Sequence, residues 1–277
     1  MEWLTLPLSF PFMRDAALIS VIAAVPAGLL SCFLVLRGWS LMGDAVSHAV
    51  LPGVVLAYVM GAPLIVGAFA AGMVCSLASG YLQQNSRVKQ DTVLGVVMSG
   101  MFGLGVVLYT SITSDLHLDH ILFGNMLGVG PEDLRLALVI ALIVGGALVL
   151  KWRDFALLAF DPVQARVSGL RVGALNYAML AMISMTVVAM LSSVGIILAV
   201  AMLIAPGAVA FLITRRLAAM LAVSVAVAGF GALIGVWASF WLDAAPAPTI
   251  VLVMTAAFVA AFLYRTTASR RAVQAGP

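Results

Sequence analysis

The stretch RGWSLMGDAVSHAVLPG, residues 37–53, sets a carboxylate and an imidazole inside an otherwise apolar helical segment. Asp44 and His48 are four residues apart, so on a helix they share one face about one turn apart, close enough to share an ion. With Arg37 marking the membrane surface, Asp44 lies about 10 Å and His48 about 16 Å into a hydrocarbon layer roughly 30 Å thick. An ionisable group at that depth is costly, by about 2.5 to 3.5 kcal/mol on insertion scales, and therefore points to an ion pathway. Pro52 adds to this reading. It has no N–H, so the carbonyl of His48 is left without its helical partner, and broken helices beside a cavity are places where ions are held. Pro206, in AMLIAPGAVA, frees the carbonyl of Met202 in the same way. Both prolines are helix-break positions, and whether Pro206 faces the same cavity is open.

Composition sets the class. Of the 277 residues, 64% are hydrophobic and 9% charged, and the mean hydropathy is +1.18. This is an all-α, polytopic membrane chain, read as one membrane domain over 1–277. Apolar runs fall near 15–36, 41–60, 63–83, 92–112, 134–151, 174–192, 195–214, 218–241 and 248–264, which makes nine spans. The joints at Gly61-Ala62-Pro63 and Ser192-Ser193 are weak, so eight or ten stay open. With the N-terminus outside and the C-terminus inside, the inner loops and tail carry twelve basic residues and the outer ones only Arg14 and Arg135, as the positive-inside rule requires. Acids gather outside, at Glu2, Asp15, Asp115, Asp119, Glu132, Asp133 and Asp243. They read equally as a cation-attracting mouth or as solvated loop residues.

The N-terminal segment has an acid at Glu2 and no basic residue before its apolar run, so the first span is expected to be retained and not cleaved as a signal peptide. Cys32 and Cys75 fall in apolar spans and read as small core residues. Glycines recur in the spans, including Gly95, Gly100, Gly103, Gly105, Gly231 and Gly235, where small residues let helices approach. No basic patch with interleaved aromatics suggests nucleic acid. No G-x-x-x-x-G-K-[ST] loop is present for ATP and no H-E-x-x-H for an intramembrane metalloprotease.

Three readings of the Asp44/His48 pair remain at this point: a metal site, a structural hydrogen bond and a proton relay. A mixed oxygen and imidazole set suits manganese or iron(II), and zinc less decisively. His117 and His120 lie in the segment SITSDLHLDHILFGNMLGVGPEDL and could receive or gate a metal, with His120 added to the pair as a candidate ligand. In KWRDFALLAFDPVQARVSGLRVG, read as an inner loop, Asp161 can cap a short helix, Pro162 suits its first position and Gly169 its end. This predicts about two turns at the membrane surface, either a plain interfacial helix in contact with lipid or a docking element.

At these residues the chain resembles the permease subunits of bacterial ABC transporters for manganese, iron and zinc, the ABC-3 type metal permeases. The resemblance rests on RGWSLMGDAVSHAVLPG, NSRVKQDTVLG (85–95), HILFGNMLGV (120–129), FDPVQARVSGL (160–170) and SSVGIILAVAMLIAPGAVA (192–210). It implies a type II ABC importer-like permease in the bacterial inner membrane, working by alternating access. It further implies a second permease subunit, identical or paralogous, a separate ATPase subunit that binds ATP, and a metal-loaded solute-binding protein. On this resemblance Asp44 and His48 take the role of the metal-binding pair, and Asp161, Pro162, Ala165, Arg166 and Gly169 belong to the coupling helix. The wording SLMGDAVSHAVLPG, with proline four residues after the histidine, is more similar to the manganese and iron(II) branch than to the zinc branch; Mn2+ or Fe2+ is favoured and Zn2+ left open. His117 looks like an individual addition. Competing classes are a proton-coupled secondary metal transporter and a membrane-embedded scaffold or enzyme with a structural Asp-His pair.

Overall fold

The structure, a computed structural model, describes residues 6–112, 124, 126–191 and 193–274, the side chains of 8 and 268–274 aside. After a short 3-10 turn at Pro7–Ser9 come α1 (Pro11–Arg37), α2 (Met42–Ala49), α3 (Leu51–Met60), α4 (Leu64–Asn85) and α5 (Gln90–Thr110). Then follow α6 (Pro131–Phe160), α7 (Pro162–Val167), α8 (Val172–Leu191), α9 (Gly195–Ile213), α10 (Leu217–Leu242) and α11 (Pro246–Gln274). Counting α2 and α3 as one crossing, nine helices among the described residues are long and apolar enough to span a membrane. The weak joint at Gly61 is a true helix end, because Gly61 adopts φ 65° and its N–H turns back to the carbonyls of Ala57 and Tyr58, a left-handed stop that glycine makes without strain.

α1 is the spine. It packs most extensively against α10 and α9 and next against α6, and 72% of its apolar window is buried. The approach is close because the contacts are small. A Cβ on Gly28 would come within 3.0 Å of the Val225 Cα, and one on Gly207 would collide with the backbone of Ser31. Side-chain hydroxyls bridge the same seams, Ser224 donating to the Gly28 carbonyl at 2.7 Å and Ser31 to the Ile204 carbonyl at 3.1 Å. Cys32 and Cys75 are buried and unpaired.

A second layer is formed by α2 and α3 against α4 and α5, and it joins the first where α2 meets α8 and α9. At the α3–α4 crossing Gly53 and Gly67 lie so close that a Cβ on either would strike the carbonyl of the other. The glycines of α10 and α5 divide. Gly231 and Gly235 meet Met254 and Ile250 of α11, and Gly105 meets Leu51 and Pro52, whereas Gly95, Gly100 and Gly103 have no neighbour within 4 Å.

One boundary needs correction. The fifth span does not end at residue 151: α6 runs on to Phe160, with a bend at Lys151 (φ −111°, ψ 15°). Residues 152–160, the first part of the segment that reads as a loop, contain no glycine or proline and have apolar residues to bury. Phe155 and Leu158 are inside the bundle, Phe155 lying against Phe33 with ring centroids 6.0 Å apart. Lys151 pairs with Asp154 at 3.3 Å along the same helix.

Gly53→Ala is expected to lower stability by about 1 to 3 kcal/mol, the usual cost of overpacking a closed contact, while Gly100→Ala leaves it unchanged or slightly raised. Thermal unfolding of both variants in one detergent checks this, and equal melting of the two would contradict the close α3–α4 crossing.

Candidate functional site

The turn between α1 and α2 is built from local rules. Arg37 ends α1, Gly38 takes φ 68° and the Trp39 N–H returns to the Leu34 carbonyl at 2.7 Å. The guanidinium of Arg37 lies 4.0 Å from the centre of the Trp39 ring. Its Nη1 donates to Oδ1 of Asn176 on α8 at 2.7 Å, a charge-assisted bond that ties the start of α2 to a different helix. Sequence reasoning took Arg37 only as a surface marker and missed Asn176, whose isolated polar side chain near the start of an apolar helix was the available signal.

From this anchor α2 carries Asp44 and His48 on one face. Oδ1 of Asp44 and Nε2 of His48 are 3.5 Å apart, and the two side chains are 35% and 34% exposed. The separation is longer than the roughly 2.7 to 3.2 Å of a good hydrogen bond. It does allow both atoms to stand about 2.1 Å from one ion, the usual bond length to imidazole or carboxylate for zinc. The other faces of α2 are packed. Gly43 faces Leu203 of α9, Val46 lies beside Gly72 of α4, and the Cys75 thiol lies 3.7 Å from the Ala45 carbonyl. Ser47 is buried and donates to the Gly43 carbonyl in its own helix at 2.6 Å. Its proton is therefore committed within α2.

The imidazole is held from the side by Phe102 of α5, edge to face with centroids 5.6 Å apart, an arrangement favoured by the ring quadrupole. Phe102 was missed from sequence, since nothing in an apolar span distinguishes one packed aromatic from another. No third His, Cys, Asp or Glu joins the pair among the described residues. His117 and His120 lie outside the described residues.

The regular helix is interrupted at Val50, between α2 and α3, and Pro52 stands in the first turn of α3. The break is slight, because Val50 itself keeps helical angles (φ −67°, ψ −27°). α9 in contrast continues through Pro206. The adjoining Gly207 N–H donates to Oγ of Ser31 at 2.8 Å, so the helix beside this proline is tied to α1.

The third element is α7. Oδ1 of Asp161 accepts from the N–H groups of Val163 and Gln164, both at 2.9 Å, Pro162 occupies the first helical position, and Gly169 takes φ 81° after the end. Ala165 is fully buried, so it seats the helix on the bundle, while Val163 and Val167 are 72% and 77% exposed. Arg166 lies in the last turn, favourable for the helix dipole. A six-residue helix therefore presents an apolar outer face beside a charge.

The ABC-3 family pattern, described as the ABC 3 transport family, matches residues 9–265. The chain belongs to that family. Among its relatives is the chelated iron transport system membrane protein YfeD of Yersinia pestis, 50% identical over 258 residues that cover 93% of this chain and 87% of that one. The manganese transport system membrane protein MntB of Synechocystis sp. is 40% identical over 262 residues, covering 95% and 86%. The solved structure of PsaBC from Streptococcus pneumoniae in complex with Fab superposes with a TM-score of 0.83 at 32% identity, over 94% of each chain. This ABC 3 family chain is thus a multi-pass permease whose relatives are membrane components of iron and manganese transport systems.

A double-mutant cycle on Arg37→Gln and Asn176→Leu is expected to give a coupling of about 1 kcal/mol, within the range for contacting hydrogen-bonded groups. Unfolding measurements on the four chains read it, and additive effects would remove Asn176 as the anchor of the α1–α2 turn.

Proposed function

We propose that this ABC 3 family chain is the permease subunit of an importer that passes a divalent transition metal ion, Mn2+ or Fe2+ in preference to Zn2+, into the bacterial cytoplasm. The observation that carries the reading is the Asp44/His48 pair: two hard or borderline donors on an apolar bundle, 3.5 Å apart and about one-third exposed. An isolated structural pair would be expected to be enclosed, because an open polar pair in hydrocarbon keeps its desolvation cost without a partner. Two donors are also too few to strip a hydrated divalent ion. α5, whose Phe102 meets His48, leaves Gly95, Gly100 and Gly103 with nothing packed on them, which suits close approach by another helix. In this reading a second permease subunit, identical or paralogous, covers α5 and completes the path.

The ion is delivered from outside by a metal-loaded solute-binding protein, and Asp44 and His48 replace part of its water shell. A separate ATPase subunit docks on α7, and its cycle of ATP binding and hydrolysis exchanges inward-facing and outward-facing states. The capped, apolar-faced α7 supports this role, with Asp161, Pro162 and Gly169 shaping the helix, Ala165 seating it and Arg166 placing a charge beside the docking face. The inner membrane is the location, with the N-terminus outside and the C-terminus inside.

Uptake of radioactive manganese and iron, measured with the ATPase and binding protein present at matched membrane levels, is expected to fall roughly tenfold or more in Asp44→Ala and His48→Ala. ATP hydrolysis by the assembled complex should persist. Asp161→Ala, which removes a cap worth about 1 kcal/mol, should reduce uptake and ATP hydrolysis together while leaving metal binding intact. Undiminished uptake in both site variants would make the pair structural, and undiminished uptake in Asp161→Ala would favour a transporter that uses no ATPase.

A further inference from the structure

The end of the bundle that carries α7 contains a cavity of about 430 Å³, reached by elements far apart in sequence. It is lined by Leu36 of α1, Phe211 of α9 and Met220 of α10, and by Arg215, Arg216 and Arg265. Phe160, the residue before the α7 cap, adjoins it and is 66% exposed. Two of the arginines come from the α9–α10 turn and the third from α11. Their convergence on one cavity goes beyond the single basic residues that topology alone places in inner loops.

Among the described residues no carboxylate answers them. No Asp or Glu occurs between residues 162 and 242, and after Asp243 there is none to the end. Among the described residues no ion pair involves Arg215, Arg216 or Arg265. Asp161, the nearest acid in sequence to Phe160, has Oδ1 engaged by the α7 amides. The same cavity meets the start of α10, where Arg216 is the N-cap and no side chain caps the first amides. Those free N–H groups carry the positive end of the helix dipole.

We infer that this cavity binds a phosphate-bearing anion, namely the headgroup of an anionic phospholipid. The three guanidiniums and the open α10 amides receive the phosphate, which arginine matches in a bidentate manner. The apolar lining and exposed Phe160 and Phe211 lie where acyl chains leave the headgroup. A free phosphate would have no use for that lining. A protein surface would be expected to engage α7, whose Val163 and Val167 are exposed. The site lies outside the proposed metal path and does not depend on it.

The test uses the full chain with its ATPase partner, taken from nanodiscs of phosphatidylcholine with or without phosphatidylglycerol, and counts retained lipids by native mass spectrometry. Phosphatidylglycerol is expected to be held over phosphatidylcholine, and the triple variant Arg215→Gln/Arg216→Gln/Arg265→Gln to lower that retention roughly tenfold or more. The corresponding triple lysine variant should keep most of it, and added inorganic phosphate should not displace the lipid. Equal retention of the two lipids by the unmutated chain overturns the site without recourse to any variant. So does unchanged retention in the glutamine variant. Displacement by inorganic phosphate makes the ligand a free anion. Loss of the ATPase with lipid retention intact makes the arginines a protein-docking surface.

Discussion

Hydrocarbon satisfies no hydrogen-bonding group and gives apolar helices no gain from touching one another, so the bundle depends on how closely its backbones approach and where its polar groups find partners. Ser31 of α1 illustrates both demands. Its hydroxyl donates to the Ile204 carbonyl and accepts from the Gly207 N–H, on either side of the proline that interrupts the α9 ladder. Gly207 permits the contact because any Cβ there would enter the Ser31 backbone. One small polar residue thus sits at the close approach and makes two hydrogen bonds to the helix flanking its proline.

The same constraint gives Asp44 and His48 their significance. Every other face of α2 is occupied by α4, α5, α8 or α9, and Ser47 bonds within its own helix. The pair is left open toward the flank of α5, of whose apolar window only 17% is buried. Phe102 fixes the ring without adding a donor. On the proposed reading this half-built arrangement suits a transported ion, since a closed set of ligands would bind too well to release.

The span count, the Asp44–His48 spacing and the α7 cap were legible because each follows from local rules: apolar length, helical period, and an acid before a proline. α6 was cut short at Lys151 because three charged residues within four positions look like a loop, whereas Lys151 and Asp154 neutralise each other on the helix and Phe155 and Leu158 find a core. What sequence could not supply was partnership across distance. Asn176 stands 139 positions from Arg37, and Phe102 reaches His48 only because α5 folds back along α2. Pro52 and Pro206 look equivalent in the chain, and they differ because Pro206 has Ser31 behind it while Pro52 lies at a helix junction against Gly105.

These long-range ties also define a physical route between the two ends of the proposed mechanism. α7 is seated through Ala165, and α8 follows it after the left-handed turn at Gly169. α8 holds Arg37 through Asn176 and packs directly on α2. Farther along, Ser184 of α8 sits behind Gly72, at the same spot where Val46 of α2 touches α4. α7 packs on both α6 and α8, and α8 bears on the helix that carries Asp44 and His48 at both its anchor and its middle. α1, locked to α9 and α10 by backbone-close contacts, supplies the fixed reference against which such a shift has an effect. A bundle packed equally tightly on all sides would have no element free to move, and one packed loosely on all sides would have nothing for the moving element to move against.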